Sequence, residues 1–154
     1  AASDECHVAG TCNPGTGLCS NPNASDGTAC NDGNQCTAGD VCNAGACGGS
    51  PVPPPAAIND SVRADKLPTN TTIAWTDPPG SYNVYRGSMP DGSTWSYNQT
   101  CQSAGVTSGS ASDTDDPASG ELFYYLVSRV DACGESSLGT DSAGAPRPNG
   151  SSCP

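Results

Sequence analysis

Cysteine is the residue type in this sequence with the most chemistry available to it, as a metal-binding thiolate or as half of a disulfide bond. The 154-residue chain contains ten cysteines: Cys6, Cys12, Cys19, Cys30, Cys36, Cys42, Cys47, Cys101, Cys133 and Cys153. No two are separated by two residues, as paired zinc ligands often are, and the only histidine is His7. The spacing therefore favours disulfide bonds, and because these persist in oxidising compartments we expect an extracellular or cell-surface protein.

The sequence contains no set of residues typical of a catalytic site. A Ser-His-Asp triad would need His7, which stands beside Cys6 in a loop-rich segment. No Gly-x-Ser-x-Gly motif and no phosphate-binding glycine loop occurs. Glu121 and Glu135 flank a predicted strand, where solvated turn charges are a simpler interpretation than a glycosidase pair. We therefore predict that the protein is not an enzyme.

The charge distribution excludes nucleic acids as partners. The formal net charge is −11, and residues 1–50 contain neither Lys nor Arg. Because a nucleic-acid-binding protein must neutralise phosphates with basic side chains, we expect no nucleic-acid partner.

No apolar run is long enough to span a membrane. The chain begins at Ala1 rather than Met, which we interpret as a mature chain after removal of a leader.

Acidic and amide side chains in the first third of the chain are candidate calcium ligands, since calcium prefers oxygen atoms. The predicted set is Asp26, Asp32, Asn34 and Asp40. The alternative is that these Asp and Asn residues, several followed by glycine, simply form turns, and we favour it. We expect no other cofactor.

Two further features suggest contact with sugars. Asn-x-Ser/Thr sequons make the protein a candidate glycoprotein, at Asn23, Asn70, Asn98 and Asn149. Trp95 and Tyr97 lie among polar residues in an irregular segment. If exposed they would stack on sugar rings or fill a partner's groove, and if buried they would cap one end of the core of a β-sandwich. We favour the second interpretation.

Residues 1–50 must fold around their cysteines. Their only large aliphatic side chains are Val8, Leu18 and Val41, and they contain no aromatic residue. Burying three such side chains contributes roughly 5–9 kcal/mol, whereas ordering the backbone of the segment costs several times more. Each disulfide adds about 2–4 kcal/mol by restricting the unfolded chain. We therefore predict a small disulfide-rich loop module.

The remaining sequence predicts a linker, a β-sandwich and a short tail. Residues 51–56 are proline-rich and form a stiff spacer. Apolar and polar residues alternate in several segments of residues 57–146, which is typical of strands. Short strands at this spacing indicate a β-sandwich, so the expected fold class is all-β. Residues 147–154 form a C-terminal tail that contains Cys153.

Both halves resemble known families. Residues 3–49, DECHVAGTCNPGTGLCSNPNASDGTACNDGNQCTAGDVCNAGACGG, resemble the cysteine-rich repeat of large secreted proteins of myxobacteria and related environmental bacteria. That repeat has eight cysteines; this segment lacks the first. TTIAWTDPPGSYNVYRG resembles the B and C strands of a fibronectin type III domain, and FYYLVSRVDACGESS resembles its F strand and F–G turn. The second resemblance implies an immunoglobulin-like sandwich over residues 57–146 with Trp75 as its core tryptophan.

The two halves contain odd numbers of cysteines, seven and three. Cys101 and Cys133 are the candidate pair of the sandwich, which leaves Cys153. We expect Cys153 to bond with a cysteine left over near Cys6, either within one chain or between neighbouring chains. A bond between chains would be head-to-tail, and such contacts build filaments when they do not close into a ring.

These observations lead to two functional hypotheses. The first is a structural subunit of an extracellular bacterial filament, which assembles with copies of itself head-to-tail through its cysteine-rich N-terminal module and C-terminal tail. The alternative is a secreted or cell-surface adhesion or carbohydrate-binding module that is not polymeric and recognises surface polysaccharide. Because fibronectin type III domains serve many purposes, fold alone does not choose between them.

Overall fold

The computed structural model describes residues 2–58, 60–77 and 79–154. The chain forms two compact units, Ala1–Pro53 and Pro54–Pro154. The described residues form strands, turns and loops but no helix, which confirms the predicted all-β class. No helix that could cross a membrane exists among them either.

The first unit contains one hairpin, and the rest of it consists of loops. β1 (Thr37–Asn43) and β2 (Ala46–Pro51) pair antiparallel. Ala44 and Gly45 connect them, and both have positive φ angles, 51° and 86°, as a two-residue type I′ turn requires. Isolated bridges connect short loop segments, at His7–Asn23, Cys12–Cys19 and Ala29–Val41.

Sulfur occupies the interior of the first unit. Cys6 and Cys42 are 2% and 1% exposed, whereas Leu18 is 73% exposed and Val8 and Val41 are also exposed. The aliphatic side chains therefore form no core, and the prediction that this segment folds around its cysteines is confirmed.

The second unit is a sandwich of two antiparallel sheets. Its strands are β3 (Arg63–Lys66), β4 (Thr71–Ala74), β5 (Ser81–Pro90), β6 (Thr100–Val106), β7 (Ser110–Asp113), β8 (Glu121–Asp131) and β9 (Gly134–Glu135). The sheet orders are β3-β4-β7 and β6-β5-β8-β9. The fold is fibronectin type III-like, as predicted, with a last strand of only two residues.

The core between the sheets is small and aromatic. It consists of Ile73, Trp75, Tyr82, Val84 and Val127. The rings of Trp75 and Tyr82 meet edge-to-face, with centroids 5.3 Å apart. Trp75 is buried, so its predicted place in the core is confirmed.

A second core covers the outer face of the four-stranded sheet. Tyr85, Tyr124, Leu126 and Leu138 form this outer cluster. Because neighbouring strand residues point to opposite faces, β5 and β8 bury side chains on both. That explains why β8 is apolar in both phases from Leu122 to Val127.

Gly87 makes the close packing of the outer cluster sterically allowed. It lies opposite Tyr124 on the neighbouring strand. A Cβ atom at Gly87 would lie 2.1 Å from the Tyr124 ring, so any larger residue would displace that ring. The tyrosine therefore lies directly over the β5 backbone.

Candidate functional site

The disulfide pairing differs from the one expected. No described cysteine is free, and the defined bonds are Cys6–Cys42, Cys12–Cys19, Cys30–Cys47 and Cys101–Cys153. Cys36 and Cys133 are disulfide-bonded as well. Three cysteine sulfurs, of Cys6, Cys30 and Cys47, lie within 4.8 Å of one another. They belong to disulfides and are not metal-binding thiolates.

Cys153 is therefore not the joint that the sequence suggested. It bonds with Cys101 inside the sandwich, so the predicted Cys101–Cys133 pair is wrong. Its predicted bond to the first module or to a neighbouring chain is wrong too, since Cys6 bonds with Cys42. The physical reason is that the C-terminal segment returns across the outer sheet face, where its sulfur meets β6.

Several contacts hold the C-terminal segment on that face. The backbone N–H of Cys153 donates to the Tyr85 hydroxyl at 3.1 Å, and the Asn149 amide donates to it at 3.3 Å. The buried Gln99 side chain donates to the carbonyl of Pro148. The predicted tail, residues 147–154, is thus part of the packed sandwich unit.

Glu135 is the acceptor at the centre of a polar cluster beside this segment. Its Oε1 accepts hydrogen bonds from Asn83 at 3.0 Å, from Tyr85 and from Ser128. Its Oε2 accepts from Asn149 at 3.5 Å. Burial acts to raise the pKa of Glu135, but these hydrogen bonds outweigh it and hold the pKa below its ordinary value. The carboxylate therefore fixes β5, β8 and the returning segment together.

An ion pair that the sequence did not reveal closes one end of the inner core. Arg86 Nη1 on β5 lies 2.8 Å from Asp113 Oδ2 on β7, and 2.8 Å from Asp115 Oδ2. Tyr125 donates to Asp113 at 3.0 Å. Burial, with this hydrogen bond, raises the pKa of Tyr125 to about 12. The cluster joins the two sheets. Nothing in the local pattern around Asp113 distinguishes it from the neighbouring loop acids.

The outer edge of β8 lacks a partner over half its length. The neighbouring strand β9 has only two residues. Ser136, which follows it, is the last residue that forms a hydrogen bond to this edge, and its N–H donates to the carbonyl of Arg129 at 2.8 Å. Alternate residues point the same way, so Phe123, Tyr125 and Val127 direct their N–H and C=O groups to this side. None of these groups has a hydrogen-bond partner among the described residues.

A hollow of about 270 Å³ opens beside the same edge. Val62, Tyr125, Val127 and Leu138 line part of it. The opposite sheet ends differently, because the exposed strand β3 carries Arg63, Asp65 and Lys66. Charged side chains on an edge strand prevent another strand from adding to it. Between Phe123 and Val127 the edge of β8 carries no charged side chain of its own, while Asp60 and Arg147 line the hollow beside it.

The four predicted calcium ligands do not converge. Asp26 accepts a hydrogen bond from the N–H of Ala44 at 2.8 Å, in the β1–β2 turn. Asp32, Asn34 and Asp40 share one loop, where Asp32 N donates to Asp40 Oδ2 at 3.2 Å. Asp26, Asp32 and Asp40 do not bring their carboxylates within 4.8 Å of one another.

The individual loop acids mainly cap backbone turns. Asp32 Oδ1 accepts from Asn34 N at 2.8 Å, and Asn34 Oδ1 accepts from Cys36 N at 3.0 Å. The predicted four-residue set is therefore wrong in including Asp26. Calcium binding by the other three residues stays a prediction.

The sequons differ in how their amides are used. Asn70 donates to Ser112 at 2.9 Å, Asn98 donates to the carbonyl of Ser88 at 2.9 Å, and Asn149 donates to Tyr85. Asn23 is exposed and its amide makes no hydrogen bond to a described residue. Asn23 is thus the sequon whose modification would disturb the fold least.

Trp95 is not the core residue that the sequence favoured. Its side chain is 51% exposed, and its ring rests against Tyr124 with the centroids 4.7 Å apart. Tyr97 lies at its edge, 6.0 Å away, and packs on the outer cluster. The expectation that the two aromatics cap one end of the sandwich core is therefore wrong for both, since Tyr97 packs on the outer cluster instead.

Comparison with known proteins gives one structural likeness. The chain resembles a fibronectin type III-like protein from Clostridium thermocellum, with 27% sequence identity and a TM-score of 0.40. The likeness covers 54% of this chain and 82% of that one. No protein-family model and no curated protein sequence matches the chain.

Proposed function

We propose that this protein is a structural subunit of an extracellular filament, in which the free edge of β8 accepts a strand from another copy. The observation that carries the proposal is the two-residue β9, which leaves Phe123, Tyr125 and Val127 with unpaired backbone groups among the described residues. An exposed strand edge is a template for strand addition. Because donor and acceptor surfaces differ, repeated contacts build a filament rather than a closed dimer.

The donor strand in this proposal is β2 of a neighbouring copy. β2 is the edge of a two-stranded sheet and is exposed along most of its length. Residues 1–50 carry no Lys or Arg, so β2 has no positive charge to oppose pairing. Gly48 and Gly49 have no side chains to hold the two backbones apart. The assembly is therefore head-to-tail, with the first unit of one copy on the second unit of the next, and it needs no bond from Cys153.

The proposed setting follows from the disulfides. They support an oxidising, extracellular location. In this proposal the first unit is a cysteine-rich repeat of the kind found in secreted proteins of myxobacteria and related bacteria. The protein acts by assembly, without catalytic turnover, and glycans at Asn23 would lie on its surface.

Hydrogen exchange of single backbone amides tests the joint without any substitution. The amides of Tyr125 and Val127 should exchange fast in the dilute protein and slowly in filaments seen by negative-stain microscopy. Those of Tyr124 and Leu126, which face β5, should be protected in both samples and serve as internal controls. Exchange of Tyr125 and Val127 that is equal in both samples would contradict this joint, and native material without filaments would contradict the function.

A charge on the donor strand provides a second test. Gly48 has open space around it, so Gly48→Lys should fold normally and prevent strand addition. Gly150 also has open space and lies outside β2, so Gly150→Lys is the matched control. Light scattering should show loss of polymers for the first variant alone. Equal polymerisation of both variants would exclude β2 as the donor.

A further inference from the structure

Trp95 forms a flat aromatic surface that the filament proposal does not use. It is half exposed, although its ring is fixed against Tyr124 at 4.7 Å and Tyr97 lies at its edge. An exposed tryptophan in a polar loop contributes little to folding. One that is held in place resembles the rigid aromatic anchors of binding sites.

Several contacts beneath Trp95 hold this aromatic surface in place. The Tyr124 hydroxyl donates to Gln99 Oε1 at 2.9 Å and accepts from the N–H of Asn98 at 2.9 Å. The Asn98 side chain bonds both the N–H and the C=O of Ser88, at 3.1 and 2.9 Å. Gly87 leaves the space in which the Tyr124 ring lies. The surface is thus preorganised, which lowers the entropy cost of binding.

Polar groups stand beside the exposed ring. A hollow of about 400 Å³ is lined by Trp95, Tyr97, Asp141, Ser142 and Arg147, a volume within the range of small-molecule sites. Asp141 Oδ1 accepts from two backbone N–H groups, but its Oδ2 has no hydrogen bond to a described residue. Arg147 donates to Leu138 O at 3.0 Å and forms no ion pair within the described part of the chain.

We propose that this hollow binds neutral hexose units of a polysaccharide, with one sugar ring stacked on Trp95. The axial C–H groups of a pyranose are weakly positive and pack on the negative face of an aromatic ring. Asp141 Oδ2 accepts hydrogen bonds from sugar hydroxyls, and Arg147 donates to their oxygen atoms. The two side chains carry opposite charges, and the net charge of −11 repels an anionic polymer. The site adjoins the hollow beside the β8 edge, because Trp95 and Arg147 line both.

Native affinity electrophoresis with soluble polysaccharides tests the site. A β-glucan and a galactomannan serve as neutral hexose polymers, and alginate serves as the anionic one. We expect a neutral polymer to retard the protein, and Trp95→Ala to weaken the interaction at least about tenfold, as truncation of an aromatic anchor does. Leu18→Ala removes an even more exposed apolar side chain from the other unit and should change nothing.

Fluorescence separates loss of the site from loss of the fold. The chain has two tryptophans, and Trp75 is buried, so acrylamide should quench mainly Trp95. A bound neutral polymer should reduce this quenching, and Trp95→Phe should remove the effect while the Trp75 emission stays that of the folded protein. No retardation by either neutral polymer, retardation by alginate alone, or equal retardation of Trp95→Ala would each overturn the proposal.

Discussion

The buried centre of the first unit is chiefly the Cys6–Cys42 disulfide, whereas the interior of the second unit consists of aromatic and aliphatic side chains in two layers. In the first unit Leu18 is exposed while Cys42 is almost fully buried. In the second unit Ile73 of the inner core and Tyr85 of the outer cluster are both fully buried, on opposite sides of the four-stranded sheet. The difference shows two ways to offset chain entropy: cross-links reduce the entropy of the unfolded chain, and packing removes apolar surface from water.

Reduction of the disulfides should give the largest difference in stability between the two units. A reductant that opens all disulfides should unfold the first unit, since each bond contributes about 2–4 kcal/mol and little apolar burial remains. The sandwich should persist because its inner core contains no cysteine. All eight aromatic residues lie in the second unit, so the aromatic bands of the near-ultraviolet circular dichroism spectrum report on it alone. If reduction abolished the aromatic spectrum while the amides of residues 2–53 stayed protected, the predicted difference between the two units would be wrong.

Truncation of one buried aliphatic side chain should give the next largest effect. Ile73→Ala leaves a cavity between the sheets and should lower the free energy of unfolding by about 2–5 kcal/mol. Leu18→Ala in the first unit should change it by less than about 0.5 kcal/mol, because that side chain is exposed. Denaturant titrations measure the two changes in the free energy of unfolding, with tryptophan fluorescence as the signal for the second unit and hydrogen exchange as the signal for the first. Similar costs at both positions would show that Leu18 is buried after all.

The Cys101–Cys153 bond offers a test of the corrected pairing. The paired substitutions Cys101→Ala and Cys153→Ala open a loop of 52 residues and should destabilise the sandwich by about 2–4 kcal/mol. The wild-type protein should run as a monomer in non-reducing denaturing electrophoresis. A covalent ladder that disappears in the paired variant would show instead that Cys153 bonds between chains.

Acid should weaken the sandwich through Glu135, with a smaller effect. The folded pKa of this carboxyl lies below its ordinary value of 4.5, so its contribution is present above that pH and lost as pH falls through the folded pKa. Glu135→Gln cannot ionise and should show a shallower fall in stability between about pH 5 and pH 3. Thermal unfolding of both proteins across this pH range, monitored by near-ultraviolet circular dichroism, measures this dependence of stability on pH. Identical pH profiles would mean that the carboxylate contributes no charge-dependent stability.

Much of the fold was predictable because it depends on local composition and period. The absence of an apolar core in residues 1–50, the strands around Ile73 and Val127, and the burial of Trp75 required only residue types and alternation. The candidate sites were less predictable. Asp26 and Asp32 are close in sequence, but one caps the β1–β2 turn and the other caps its own loop.

The sequence alone determined that the protein is cross-linked, acidic and all-β, because these properties follow from which residues are present and how they alternate. Only the tertiary structure decided which cysteines meet, since a disulfide depends on the distance in space between residues that lie far apart in the chain, 52 positions for Cys101 and Cys153. The same holds for the outer cluster, where Leu138 and Cys153 return onto β5 and β8, and for the free edge of β8. Both depend on where the chain travels after the two residues of β9, which no local pattern specifies.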